Sequence, residues 1–291
     1  MTHHLTDLAL SRRLEGAEGA ANAAAVDARA RSNPGLGATH VTVNGTRAMF
    51  DGPGSFLTQS FGFGVCGDPD PADLDAIEAF FHERGAVPMH EVSPLADPSV
   101  LALLAGRGYQ VVELTSILWQ PLERALHAES PDAHARAKDG GVAVCLALGD
   151  DVARWATTAA AGWSDTPGAA EFVSDFAPIA GSAHGTHCFL AEIDGEGAGA
   201  GSVAIHDGVA LLSGASTVPR FRGRGVQNAL LHARLAHARA LGCDLAAMGA
   251  LPGSASQRNA ERQGFRIAYT RLKWAMASPP GAPAATDHPA R

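Results

Sequence analysis

The chain has 291 residues, 46% hydrophobic and 18% charged, which is the composition of a packed protein with room for two domains rather than of a disordered one. A formal net charge of −8 offers no general pull toward nucleic acid or an anionic membrane, so neither is expected as a partner. Cys66, Cys145, Cys188 and Cys243 lie far apart with no C-x-x-C pair, and no run reaches the ~18 apolar residues of a membrane span, which argues against a disulfide framework, a zinc ribbon and a transmembrane helix. With no apolar stretch in the first residues to act as a secretion signal, the expected location is the reducing cytoplasm.

In chain order, Leu5 to Arg31 is alanine-rich with leucines at helical spacings and stops at the breaker cluster Ser32-Asn33-Pro34-Gly35, predicting one long helix. Strands are expected at His40-Val43, Arg47-Phe50 and Phe56-Phe61, the first two joined by the hairpin pair Asn44-Gly45. Asp68 to Asp73 opens a second helix that ends at Gly85, followed by a strand over Val87-Val92, a short helix from Asp97 to Gly106 and a strand over Val111-Trp119. Residues 123–140 are polar and read as a linker between a domain of residues 1–122 and one of residues 141–276. The second round predicts a strand at Val142-Leu148, helices at Asp151-Gly162 and Ala170-Ile179, three antiparallel strands within Cys188-Ser216, a helix over Val226-Leu241, a strand at Leu245-Leu251, a helix at Ser254-Gln263 and final strands to Met276. The proline-rich tail 277–291 is expected to be disordered. The runs Arg107 to Trp119 and Gln263 to Trp274 read as the same element, which suggests two copies of one fold; two unrelated α/β domains with a common ending remain open.

Chemistry concentrates in Val218-Pro-Arg-Phe-Arg222-Gly223-Arg224-Gly225-Val226-Gln227-Asn228, between a predicted strand and a predicted helix. A glycine turn at a helix N-terminus presents backbone N–H groups that the helix cannot use, and together with the helix dipole they make an anion cradle. Gly223 and Gly225 permit a left-handed backbone, and Arg220, Arg222 and Arg224 add positive charge within an acidic chain. The spacing fits neither a Walker A loop, which needs Gly-Lys-Ser/Thr, nor a dinucleotide fingerprint, whose third glycine is absent.

Arg222-Gly-Arg-Gly225-Val-Gln227 resembles the R/Q-x-x-G-x-G/A signature of the GNAT acetyltransferase superfamily, and Thr217-Val218-Pro219 is similar to the V-x-P that leads into it. Ser254 to Phe265 resembles the short helix and terminal Gly-Phe of that family. The resemblance implies an α/β (α+β) chain of two tandem GNAT-like domains, each a mixed, mostly antiparallel sheet flanked by helices. The N-terminal copy is expected to be degenerate, because its glycine-rich turn carries Asp68 and Asp70 where the other copy is basic. The resemblance also implies acetyl-CoA as co-substrate and transfer of the acyl group by direct attack of a primary amine; it does not extend to the acceptor, for which a small-molecule amine is favoured over a protein N-terminus or lysine. Donor-binding residues implied are Thr217, Val218, Arg222, Gly223, Arg224, Gly225, Val226, Gln227, Asn228, Ser256 and Asn259, with a peptide N–H near Val218 polarising the thioester carbonyl. Two positions depart from the pattern: Gln227 stands where Gly or Ala is usual, and Ala260 where many members place a tyrosine. They keep a second reading open, a CoA-binding regulatory module or pseudoenzyme without turnover.

For proton transfer the candidates are Glu192 and His206, each near a predicted strand end, and Ser216, with Thr217, is placed to assist in stabilising the oxyanion. Asp165 and Glu171 fall in the stretch expected to meet an acceptor. No metal is expected, since His232 and His237 are five apart and do not share a helix face. A homodimer is compatible with the sequence.

Overall fold

The computed structural model describes residues 6–122, 137–139 and 141–276; most of the expected linker 123–140 and the whole tail 277–291 lie outside the described residues. The chain divides into two compact units, Met1–Trp119 with Gly249–Arg291, and Gln120–Met248.

In the first unit, helix α1 (Leu8–Ser32) is capped by Asp7, whose carboxylate accepts the Leu10 N–H at 2.8 Å. Strands β1 (Thr39–Val43) and β2 (Thr46–Phe50) join through Asn44 and Gly45, both at positive φ, the backbone that a two-residue hairpin with right-handed strand twist requires. Strand β3 (Gln59–Phe61), helix α2 (Pro71–His82), strand β4 (Met89–Val92), helix α3 (Ser99–Gly106) and strand β5 (Tyr109–Pro121) follow. Phe50, Phe63, Leu74, Ile77, Phe81, Val92 and Leu104 form the core beneath α2 and α3.

Further along the chain come β6 (Ala137–Asp139), β7 (Val142–Leu146), α4 (Asp151–Ala161), α5 (Ala169–Ser182), β8 (Thr186–Ile193), β9 (Glu196–His206), β10 (Val209–Thr217), α6 (Val226–Ala240), β11 (Leu245–Ala250), α7 (Ala255–Arg262) and β12 (Arg266–Met276). The sequence reading placed residues 249–276 with the second domain, whereas the compact units assign them to the first. There β12 lies between β4 and β5, giving the order β1-β2-β3-β4-β12-β5, antiparallel except for the parallel pair β3–β4. The two runs that read as one repeated element are thus sheet neighbours, with Leu272 opposite Leu114.

Charge explains why β12 settles in this place. Arg271 is 1% exposed; it donates through Nε to Glu91 at 2.9 Å and through Nη1 to Glu18 at 2.7 Å, and its guanidinium lies 4.9 Å from the centre of the Phe61 ring. The Tyr269 hydroxyl donates to Glu15 at 2.7 Å, and Lys273 reaches Glu91 at 3.2 Å and Glu113 at 3.1 Å. Ser11, Glu15 and Glu18 form a buried polar stripe on α1, which is why its leucines alone do not define an amphipathic face. Buried carboxylates without a cation cost several kcal/mol, so this strand is the one that satisfies them.

In the second unit the sheet runs β11-β10-β9-β8-β7-β6, with β10–β11 parallel and the other pairs antiparallel. Asp194-Gly195 and Asp207-Gly208 close the β8–β9 and β9–β10 hairpins with the same positive-φ turn as Asn44-Gly45. Trp155 of α4 packs among Cys145, Ala177, Cys188 and Leu190 and donates its indole N–H to the Gly201 carbonyl at 3.1 Å. Each unit is a mixed, mostly antiparallel sheet flanked by helices, as expected. Among the described residues no helix is long and apolar enough to cross a membrane.

Candidate active site

The site is built where β10 runs into α6. Gly225, the residue before α6, has φ 80°, and Gly223 has φ 75°; an added Cβ at either would touch nothing within 4 Å, so the glycines are needed for backbone angle rather than for space. No side chain caps α6. The N–H groups of Gly223, Arg224, Gly225, Val226, Gln227 and Asn228 accordingly have no protein acceptor among the described residues. In the first unit, α2 at the corresponding place is closed by Asp70, whose carboxylate accepts the Ala72 N–H at 2.8 Å. One helix end is thus satisfied and negative, the other open and positive.

Close packing holds the open end in place. At Gly199 of β9 an added Cβ would lie 2.5 Å from Val226 Cγ1 and 2.8 Å from the Ser216 carbonyl, so only glycine lets the first turn of α6 rest on the sheet. Arg234, 3% exposed, spans from α6 to the carbonyls of Ser202 at 3.1 Å and Ser213 at 3.3 Å. Burial lowers its pKa to about 10, which leaves it charged at neutral pH. Ser213 marks the point where the β9–β10 register shifts, so Arg234 fixes the irregularity in β10 that precedes the loop.

A cavity of about 710 Å³ opens beside this loop. One wall is Gly162, Trp163, Asp165 and Thr166 of the α4–α5 connection; the floor is Ala215, Ser216 and Thr217; the other wall is the loop and the first turn of α6. The floor is exposed because parallel pairing of β10 with β11 extends only over Val209 to Leu211. Val218 donates its N–H to the Ala198 carbonyl at 3.0 Å. Alternation along a strand then turns the Thr217 N–H away from β9. The Val218 N–H is thus committed to β9, and the N–H of its neighbour Thr217 is directed away from that strand. Thr217 is 8% exposed, and among the described residues its hydroxyl has no hydrogen-bond partner.

Of the donor-binding candidates, Thr217, Arg222, Gly223, Gly225, Val226, Gln227 and Asn228 line the cavity, while Val218 and Arg224 do not. Arg224 lies with Arg220 over the face of Phe221, at 5.7 and 4.7 Å. Ser256 and Asn259 sit on α7, in the other unit. The catalytic candidates fare differently from one another. Glu192 is 3% exposed, pairs with Arg154 and is not in the cavity wall. His206 ends β9 opposite Val209, also outside the wall. Ser216 is in the floor, but its hydroxyl donates to the Ala159 carbonyl at 3.0 Å. Asp165, expected to face an acceptor, instead forms a two-pronged ion pair with Arg222, with Nη2–Oδ1 at 3.0 Å, and this partner holds its carboxyl below the usual range. Glu171 lies on α5 and does not line the cavity. Sequence reasoning missed Arg234 and the Asp165–Arg222 pair; the polar residue of α6 at a position facing β9 was the available sign of the first.

An uncapped glycine turn feeding a helix thus stands beside a β strand that parts from its neighbour over a cavity. Residues 149–265 match the Acetyltransferase (GNAT) family. Among solved structures, the chain is similar to a GCN5-related N-acetyltransferase from Kribbella flavida at 20% identity, covering 89% of this chain and 96% of that one with a TM-score of 0.57. It is also similar to a tandem GNAT protein from the clavulanic acid biosynthesis pathway at 16% identity, covering 80% and 79% with a TM-score of 0.54. A functionally unknown conserved protein from Staphylococcus epidermidis shares 11% identity over 83% and 94% with a TM-score of 0.55. At these identities the likeness is one of fold. No curated protein matches the chain.

Proposed function

We propose that the second unit binds acetyl-CoA and transfers its acetyl group to a primary amine, with a small molecule as acceptor. The observation that carries this reading is the open N-terminus of α6, whose unpartnered amides from Gly223 to Asn228 suit the diphosphate of the donor. Arg222 adds charge at the rim. The thioester then extends along the β10 floor, where the Thr217 N–H donates to its carbonyl oxygen and stabilises the oxyanion that forms on attack. The neutral amine nitrogen forms the new C–N bond, the C–S bond breaks and the thiolate leaves; an ammonium, with its pKa near ~10.4, loses a proton first. Glu192 and His206 do not line the cavity, so in this reading the proton passes to solvent water.

The experiment is turnover. Purified protein with acetyl-CoA and a broad panel of primary amines is expected to release free thiol and form acetylated amine. Arg222→Glu with Arg224→Glu is expected to abolish both turnover and the thermal shift caused by coenzyme A. Binding without thiol release from any amine would favour the regulatory-module reading, and an unchanged thermal shift in the double variant would remove the loop from the site.

A further inference from the structure

Charge in the cavity wall is arranged as a closed pair. Asp165 and Arg222 are the ionisable side chains that line it, both half exposed, and they face each other from opposite walls. Arg222 also donates through Nη2 to the Gly162 carbonyl at 3.2 Å. The arginine proposed above to meet the donor's diphosphate is therefore already holding a carboxylate and a carbonyl of the α4–α5 connection. A phosphate oxygen and a carboxylate oxygen are the same kind of partner for a guanidinium, which takes either in a two-pronged fork.

Resting on the assignment of a CoA-type donor to this site, we propose that Asp165 is an internal competitor of the donor's diphosphate. In the free protein it latches the segment from Gly162 to Gly168 onto Arg222. The diphosphate takes Arg222, and the segment, which carries Trp163 and Thr166 in the cavity wall, is released. The donor thereby unlocks the wall opposite its own loop before an acceptor enters. The apparent affinity for the donor is reduced by the fraction of molecules held in the latched form, so removing the competitor tightens binding without adding any contact.

Two measurements test this, with coenzyme A itself as the probe. Calorimetric titration of the full chain compares wild type with Asp165→Asn, and with Asp175→Asn as a control for net charge, Asp175 being on α5 and outside the cavity wall. Asp165→Asn is expected to bind coenzyme A about two- to fivefold more tightly, the range for an exposed ion pair. Asp175→Asn is expected to match wild type. Hydrogen exchange of the amides of residues 163–166 is expected to rise on adding coenzyme A to wild type, and to be already fast in Asp165→Asn. Equal or weaker binding by Asp165→Asn overturns the latch while leaving the donor site standing. Equal tightening by both variants assigns the effect to net charge and also overturns it. Failure of wild type to bind coenzyme A overturns both the latch and the function proposed above.

Discussion

Thr217→Val is the substitution with the most to say about the site, because it is expected to move stability and binding in opposite directions. The Thr217 hydroxyl is buried, in the cavity floor, with no partner among the described residues. Burying an unpaired hydroxyl costs ~1–3 kcal/mol in proteins, and valine replaces it with a methyl of similar shape. The free protein should gain about 1 kcal/mol, a rise of about 4 °C in the melting temperature of a unit this size. If the hydroxyl is kept because the donor pairs with it, coenzyme A binding should weaken about two- to tenfold, the equivalent of one hydrogen bond at ~0.5–1.5 kcal/mol. Thermal unfolding with and without coenzyme A reads both effects in one experiment: the unliganded curve moves up and the ligand-induced shift shrinks. A variant that melts below wild type would mean that the hydroxyl has a stabilising partner in the free state. An undiminished ligand shift would mean that the donor does not use it.

Three further outcomes follow from the geometry. Arg271→Met removes the guanidinium that Glu15, Glu18 and Glu91 share, and should destabilise the protein by about 3–5 kcal/mol at pH 8 in urea unfolding. The deficit should shrink toward pH 5 as the stranded carboxylates take up protons; a deficit under ~1 kcal/mol, or one independent of pH, refutes the account of why β12 sits where it does. Burial raises the Glu15 pKa from 4.5 to about 7, so its contribution to stability is present below pH 4.5 and is lost as pH rises through 7. Between pH 4.5 and 8 the stability difference between wild type and Glu15→Gln should therefore change by about 3 kcal/mol, in favour of the variant at high pH, while a constant difference would place the carboxyl at its ordinary pKa. Comparison with the variant cancels the opposing contribution of His90, whose pKa burial lowers to about 3. Gly225→Ala places a Cβ in open space at φ 80°, so its cost of ~1–2 kcal/mol is one of backbone angle. It should weaken coenzyme A binding by reorienting the amides, and unchanged binding would show that the cradle does not need the left-handed turn.

Much of both units was legible because the signals are local. Asn44-Gly45 marks a hairpin through the φ values of two residues, and Gly223-Arg-Gly225 before an apolar helix marks an anion cradle through backbone groups within one turn. The acidic opening of α2 was readable in the same way: Asp70 caps that helix and closes the end that its counterpart leaves open. What escaped was partnership across long separations. Glu192 reads as a strand-end acid until Arg154 is found against it, and Ser216 as a free hydroxyl until the Ala159 carbonyl takes it. Asp165 reads as bait for a cationic acceptor until Arg222 is seen to hold it.

By itself, then, the order of residues determined the kind of fold and most of the succession of elements, since each depends on neighbours a few positions apart; β6 falls inside the stretch read as a linker. Tertiary structure alone decided that β12 joins the first unit, that the Val218 amide is committed to Ala198, and that the signature arginine already has a carboxylate. The physical reason is that a buried or paired charge is defined by what packs against it, and the groups that pack against Arg271 and Arg222 lie far away along the chain.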